Sequence, residues 1–188
     1  MVLVIVGSTR PVRVGDQLAQ HIVPLLEESL GAPVNVVDLR RLGLPFLDEP
    51  RQPSDGNYAH AHTRAWSKTI TESDAVIVIT PQYNGGYPAS VKTAIDFLYA
   101  EWRDKPFLVI SYGSRGGPKC NAQLTEVLHY IHADPVEGGV QIVVPGSDYG
   151  PDDRLMHPAE HVAAFREAIL VAAKELAGKI ATHELNKG

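Results

Sequence analysis

Cysteine is almost absent from this chain of 188 residues, which contains only Cys120. A single cysteine excludes an intrachain disulfide and a metal site built from several thiolates. The apolar run at residues 2–6 is too short for a membrane span or for the core of a signal peptide. We therefore expect a cytoplasmic protein with no membrane partner.

Basic charge is also scarce, because 17 lysines and arginines face 22 acidic residues and give a formal net charge of −5. Sequence-independent binding of nucleic acid requires a basic surface, so we expect no nucleic-acid partner. The hydrophobic fraction of 44% is ordinary for a soluble globular protein and excludes a disordered chain. The length suits one domain over residues 1–188.

Five short apolar segments rich in β-branched residues predict parallel strands, since strands buried on both faces show continuous hydrophobicity. These segments are residues 2–6, 34–39, 75–80, 107–112 and 140–144. Helical patterns occupy residues 14–30, 58–72, 89–101, 118–131 and 158–178. Pro24 is expected to kink the first helix.

Alternating strands and helices predict an α/β fold, a doubly wound parallel sheet with strand order 2-1-3-4-5 and helices on both faces. In this order the winding direction reverses between strands 1 and 3, and ligands bind beyond the carboxyl ends of the strands at that point. Three loops should meet there: GSTRPVRVG at residues 7–15, PQYNGGYP at 81–88 and GSRGG at 113–117.

The first loop combines the hydroxyls of Ser8 and Thr9 with the guanidinium groups of Arg10 and Arg13, just before a helix N-terminus. Unpaired backbone N–H groups and charged donors at that position favour a bound phosphate. The glycine spacing differs from a P-loop and from a dinucleotide-binding loop, which favours a single phosphomonoester. The alternative is a plain strand-to-helix turn with solvated arginines.

The second loop offers Tyr83 as a flat face for an aromatic ring, and the third offers backbone N–H groups for the edge of a heterocycle. A phosphate pocket, an aromatic platform and amide donors together suit a phosphorylated heteroaromatic ligand, and flavin mononucleotide (FMN) fits best. Alternatively, the tyrosine belongs to the edge of the core and the glycines serve only a turn.

Three segments resemble the motifs of the NADPH-dependent FMN reductase family, a flavodoxin-like group of quinone, azo-dye and chromate reductases. They are GSTRPVRVGDQLA (7–19), PQYNGGYPASVKTAIDFL (81–98) and SYGSRGG (111–117). The resemblance implies a flavodoxin-like fold, non-covalent FMN and NADPH or NADH as co-substrate. It further implies a ping-pong reaction with a small acceptor (a quinone, an azo compound, chromate or free flavin) in a homodimer or homotetramer.

The resemblance also implies which residues bind FMN, while the flavin N5 rather than a catalytic side chain does the chemistry. The phosphate contacts would be Ser8, Arg10 and Arg13. The ribityl chain and isoalloxazine ring would contact Pro81, Gln82, Tyr83, Asn84 and Gly85. The pyrimidine edge would contact Ser111, Tyr112, Gly113, Gly116 and Gly117.

This chain departs from the family pattern at three positions. Many members have Ser and Asn where this chain has Arg13 and Gly15, and many have Glu in place of Gln82. The first change could transfer a phosphate contact from a hydroxyl to a guanidinium. The last removes a negative charge beside the flavin.

The sequence leaves two other functions open: an electron carrier without NAD(P)H turnover, and an FMN-binding regulator that acts through a protein partner. Histidine pairs at 60 and 62 and at 157 and 161 lack a zinc-site pattern, so we expect no metal. Cys120 is more consistent with a buried thiol than with a nucleophile. Lys92 and Asp96 suit a surface ion pair, and Trp102 suits a subunit contact.

Overall fold

The computed structural model describes residues 1–185 and contains one parallel sheet. Its strands are β1 (Val2–Val6), β2 (Val34–Asp38), β3 (Ala75–Pro81), β4 (Pro106–Gly113), β5 (Asp134–Pro135) and β6 (Val140–Val143). The order β2-β1-β3-β4-β5 confirms the predicted topology, and β6 pairs with β4 as well. The doubly wound α/β sheet is therefore present, with one short additional strand.

The fifth position of the sheet is divided because the chain bulges between β5 and β6. Phe107 pairs with Pro135 and Ile110 pairs with Val140, so two residues of β4 face four residues of its neighbour. Gly139 lies in this bulge with a positive φ of 49°, and a Cβ there would lie 2.3 Å from the carbonyl oxygen of Val109. Only glycine allows the bulge to pass so close to β4.

Helices occupy the predicted positions, with differences at their ends. They are α1 (Gly15–Leu30), α2 (Leu39–Leu42), α3 (Ala61–Thr71), α4 (Ala89–Asp96), α5 (Pro118–Tyr130), α6 (Pro158–Ala164) and α7 (Arg166–Leu185). The last predicted helix is interrupted at Phe165 and extends to Leu185, and the short α2 was not predicted. Helix α1 continues through Pro24 as one element. No helix in the described part of the chain is both long and apolar enough to cross a membrane.

The three central strands, β1, β3 and β4, are buried on both faces. In β1, Val4 packs into the core beneath α1 and α7, whereas Leu3 and Ile5 pack into the core on the opposite face. The alternation follows from the two-residue period of a strand. Strand β2 was predicted to be equally buried but is partly exposed, because it lies at the edge of the sheet.

Trp102 is not at the surface, so its predicted subunit contact is wrong. A 3-10 turn at Ala100–Trp102 follows α4 and directs the indole into the core, where the residue is 0% exposed. Its Nε1–H donates a hydrogen bond of 3.0 Å to the carbonyl oxygen of Ile95. The indole therefore stabilises the end of α4 from inside the protein.

We expect Trp102→Phe to lower the free energy of unfolding by about 1–3 kcal/mol, because the indole hydrogen bond is lost and the smaller ring leaves part of a buried site unfilled, while the carbonyl of Ile95 keeps the N–H of Leu98 as a donor. Urea denaturation followed by circular dichroism measures the loss. Arg103→Gln changes the exposed next residue and should stay within about 0.5 kcal/mol of the wild type. Equal midpoints for Trp102→Phe and the wild type would contradict the assigned role.

Candidate functional site

A cavity of about 230 Å³ lies where the loops after β1, β3 and β4 meet. Eight of the thirteen predicted ligand-binding residues line it: Ser8, Arg10, Arg13, Pro81, Gln82, Tyr83, Tyr112 and Gly113. Val12, Val14, Ser114, Tyr149 and Asp153 complete the lining. The reversal of winding direction between β1 and β3 thus brings the three loops together at the predicted edge of the sheet.

Arg13 organises the first loop from within. Its Nη1 donates 2.8 Å to the carbonyl oxygen of Ser8, its Nη2 pairs with the carboxylate of Asp38 at the end of β2, and the residue is only 9% exposed. A nearly buried guanidinium needs such partners to offset its lost hydration. Arg10, by contrast, is exposed and has no ion-pair partner among residues 1–185. Arg10 is therefore the more available cation for an anionic ligand.

Hydroxyl groups surround the same cavity. The Ser8 hydroxyl lies 2.7 Å from the phenol oxygen of Tyr83, so the first and second loops are hydrogen-bonded to each other. Burial raises the pKa of Tyr112, which stays a neutral phenol at physiological pH. Burial also raises the pKa of Tyr149, and the positive charge of Arg10 opposes that shift. The cavity therefore presents hydroxyl donors, one exposed guanidinium and, from Asp153, one acidic side chain.

Gly15 makes room for the phenol of Tyr112. A Cβ at residue 15 would lie 2.8 Å from the Tyr112 hydroxyl, closer than van der Waals contact allows. The first helical residue of α1 is consequently restricted to glycine as long as the buried tyrosine is present. This contact gives the glycine at residue 15 a steric reason.

The second loop contains a tight turn, and two of its predicted ligand-binding residues form that turn. Tyr83 and Gly86 exchange backbone hydrogen bonds of 2.8 and 2.9 Å. Asn84 and Gly85 lie between them with φ values of 51° and 88°, as a type I′ turn requires. Neither residue lines the cavity, although the turn positions Tyr83 beside it.

Gln82 connects the second loop to the start of α5. Its Oε1 accepts backbone hydrogen bonds from Lys119 at 3.1 Å and from Cys120 at 3.2 Å. These N–H groups are among those that a helix leaves unpaired at its N-terminus. The side chain therefore serves as a helix cap, and its neutral amide does so without adding a negative charge.

The third loop is held by a buried serine behind the cavity. Ser111 Oγ donates 2.8 Å to the carbonyl oxygen of Gly116, and Gly117 has a φ of 76° as the residue that precedes α5. A Cβ on Gly117 would lie 3.1 Å from Cβ of Ser111. These three residues lie outside the cavity lining, so they shape the loop that carries Gly113.

Tyr149 and Asp153 line the cavity but were missed in the sequence. They belong to the segment after β6, which is the fifth predicted strand and lies away from the point where the winding reverses. Strand order alone gives no reason for this segment to return to the loop after β1. The only signal in the sequence is the composition of residues 145–153, PGSDYGPDD, whose proline, glycine and aspartate residues are typical of turns.

The remaining candidate residues have structural contacts. Burial raises the pKa of the Cys120 thiol to about 11, so it stays protonated at neutral pH. Lys92 and Asp96 form the predicted ion pair at 2.6 Å. Within residues 1–185 no cluster of three potential metal-binding His, Cys, Asp or Glu residues occurs. The rings of His60 and His62 stack 5.2 Å apart.

Comparison with known proteins gives consistent matches. Residues 1–146 match the profile of the family described as NADPH-dependent FMN reductase. An NAD(P)H-dependent FMN reductase of Saccharomyces cerevisiae is 42% identical over 170 residues, which cover 84% of this chain and 88% of that protein. A quinone reductase of Escherichia coli is 31% identical over 96 residues, which cover 48% of this chain and 50% of that protein.

Among solved structures, the flavoenzyme NAD(P)H:(acceptor) oxidoreductase from Paracoccus denitrificans is similar in fold. It matches with a TM-score of 0.61 and 25% sequence identity, over 93% of this chain and 97% of that one. Because the match covers 93% of this chain, the similarity extends beyond residue 146.

We expect Gly15→Ala to lower the free energy of unfolding by about 1–3 kcal/mol, because the new methyl group collides with the Tyr112 hydroxyl. In a Tyr112→Phe background the collision is removed, and the same substitution should be neutral or stabilising. Urea denaturation of the four proteins gives the coupling energy. Equal effects of Gly15→Ala in both backgrounds would show that the hydroxyl is not the obstacle.

Proposed function

Because the chain belongs to the NADPH-dependent FMN reductase family, we propose that it transfers hydride from NAD(P)H through non-covalent FMN to a small electron acceptor. The observation that carries this proposal is the cavity that joins the loops after β1, β3 and β4. Its hydroxyls, guanidinium and tyrosines are the groups that a phosphorylated flavin needs. A quinone is our first choice of acceptor, followed by an azo compound, chromate or free flavin.

The cavity suits one end of FMN. Its volume of about 230 Å³ lies below the roughly 300–1,000 Å³ of pockets that bury a whole drug-sized ligand. The Ser8 hydroxyl, the exposed Arg10 and the nearby N-terminus of α1 are suited to a phosphate. An enclosed phosphate and an accessible ring would allow NAD(P)H and the acceptor to use the same space in turn.

When bound, FMN would supply the redox chemistry, taking two electrons from NAD(P)H and giving them to the acceptor in a ping-pong scheme. The chain's own groups bind and orient it. Arg10 and Ser8 would hold the phosphate, Tyr83 would lie along the ribityl chain and ring, and backbone N–H groups near Gly113 would face the pyrimidine edge. Asn84, Gly85, Ser111, Gly116 and Gly117 support these contacts by shaping the loops.

Three finer properties also belong to the proposal. We propose that residues 1–188 form one domain that works in the cytoplasm as a homodimer or homotetramer. A groove of about 660 Å³ beside α4 and α5, in which apolar residues such as Tyr130 and Ile131 lie beside the charged residues Lys92, Asp96 and Glu126, supports an association surface. Light scattering at several protein concentrations measures the oligomeric state, and a monomer throughout would remove this part.

The central test uses the purified apoprotein. FMN should be bound with quenching of its fluorescence, NADPH should then bleach the bound flavin anaerobically, and a benzoquinone should restore the colour. If NADPH bleaches the flavin but none of the four acceptor classes reoxidises it, the protein is a flavoprotein that NAD(P)H can reduce, and the proposed acceptors are wrong. Binding without bleaching would indicate an electron carrier or a regulator. Absence of FMN binding would refute the reductase.

We expect Arg13→Ala to weaken FMN binding by about 1.5–3 kcal/mol, whether the guanidinium contacts the phosphate or only organises the loop. Asp38→Asn separates these roles. If Arg13 contacts the phosphate directly, Asp38→Asn should preserve affinity, and if it acts through the loop, the affinity should fall in both variants. Fluorescence titration gives the dissociation constants.

Arg41→Ala is the matched control, because Arg41 lies 3.7 Å from the same Asp38 carboxylate but does not line the cavity. Its affinity for FMN should stay within about 0.5 kcal/mol of the wild type. Unchanged affinity in Arg13→Ala would remove Arg13 from the phosphate site.

A further inference from the structure

We propose that residues 146–157, which we call the strap, close the phosphate end of the flavin pocket and that Arg154 positions them there. The inference rests on the proposed function. The strap begins where the match to the family profile ends. Its Tyr149 and Asp153 line the same cavity as Ser8 and Arg10. It therefore supplies cavity surface that none of the three predicted loops provides.

The strap is a folded hairpin. Tyr149 and Leu155 form an antiparallel bridge, the N–H of Gly150 donates 2.8 Å to the carbonyl oxygen of Arg154, and that of Met156 donates 3.1 Å to Asp148. These bonds across the hairpin place Tyr149 on one arm and Arg154 on the other. A side chain that holds one arm therefore also positions the other.

Leu155 attaches the strap to α1. Its N–H donates 3.1 Å to Oε1 of Gln17, and its carbonyl oxygen accepts 3.1 Å from Nε2 of the same side chain. The leucine side chain is buried in the core beneath α1 and α7. The side-chain amide of Gln17 thus pairs with both backbone groups of Leu155, as a residue of an adjacent strand would. Gln17 lies in the first turn of α1, the helix whose N-terminus faces the proposed phosphate site.

Arg154 joins the strap to the phosphate loop itself. Its Nη1 donates 2.8 Å to the carbonyl oxygen of Arg13, and its guanidinium pairs with Asp16 at 3.2 Å. Hydrogen bonds from a charged donor are stronger than neutral ones, and contacts to two partners fix the direction of the side chain. Displacement of the strap therefore breaks a direct contact with the backbone that would bind the phosphate.

The other arm is held by α6. The carboxylate of Asp148 lies 3.2 Å from Nε2 of His161. Arg154 thus attaches one arm of the strap to α1, and Asp148 attaches the other arm to α6. Both attachments keep Tyr149 at the cavity. The phosphate of a bound flavin would be enclosed by the first loop on one side and the strap on the other, so loosening the strap should accelerate FMN release.

The test compares FMN release from the holoprotein of the wild type and of two variants. Arg154→Ala should raise the dissociation rate constant about tenfold or more, because two charge-assisted contacts are lost. Gln17→Ala, which loosens the strap without touching Arg154, should raise it as well. Stopped-flow displacement, with recovery of flavin fluorescence, measures the rates, and circular dichroism confirms that each variant is folded.

Riboflavin separates a phosphate-end role from general destabilisation, because it has the ring and the ribityl chain but no phosphate. In both strap variants the affinity for FMN should fall while that for riboflavin changes little. Arg166→Ala is the control, since Arg166 lies 3.6 Å from Glu28 on the same α1 but away from the cavity. Its FMN release should match the wild type.

If both strap variants release FMN at the wild-type rate, the proposed role of the strap is wrong, while the proposed reductase function is unaffected. Equal losses of affinity for FMN and riboflavin would overturn the role of the strap too, since the effect would then be a general loosening of the fold. A wild-type protein that binds no FMN would refute the reductase, and the strap's role with it. That outcome is distinguishable because it appears before any substitution is made.

Discussion

The burial of β1, β3 and β4 on both faces is the constraint from which the remaining architecture follows. Their side chains alternate between two apolar cores, so helices have to cover both faces of the sheet. Right-handed crossovers achieve this only if the winding direction reverses between β1 and β3. The loops after the central strands then open around a cavity at one edge. The site is thus a consequence of how the core is covered.

Around that cavity, several polar side chains form hydrogen bonds or ion pairs within the protein, which stabilise the loops. Arg13 bonds to Ser8 and Asp38, and Ser111 bonds to Gly116. Where these loops turn inward, as at Ser8 and Gly116, buried backbone groups need partners, and nearby side chains supply them. The residues left to face a ligand are fewer than the motifs suggest, with Arg10 as the exposed cation. A motif therefore identifies a loop more reliably than it identifies each contact.

The three loop positions at which the sequence predicts a departure from the family pattern have local explanations. Gly15 accommodates the Tyr112 hydroxyl, and Gln82 caps α5 with a carbonyl oxygen where a glutamate would use a carboxylate. Arg13 occupies a site where its charge is balanced by Asp38. Each of these residues contacts a different element: β2 for Arg13, β4 for Gly15 and α5 for Gln82.

The sequence by itself determined the strand order, the approximate positions of the longer helices and the three loops that meet at the site, because hydrophobic periodicity and glycine spacing are local signals. It could not reveal that Trp102 turns inward after α4 or that β6 is separated from β5 by a bulge. Nor could it separate the eight predicted residues that line the cavity from the five that shape its loops.

The position of the strap at the cavity follows from the tertiary structure alone. Tyr149 and Asp153 lie about 140 residues along the chain from Ser8 and reach the same cavity only because Leu155 packs beneath α1 and Arg154 bonds to Arg13. Contacts between distant segments depend on how helices pack against the sheet, and no periodicity within either segment records that packing. Local chemistry was therefore readable in the sequence, whereas the enclosure of the site was a property of the folded chain.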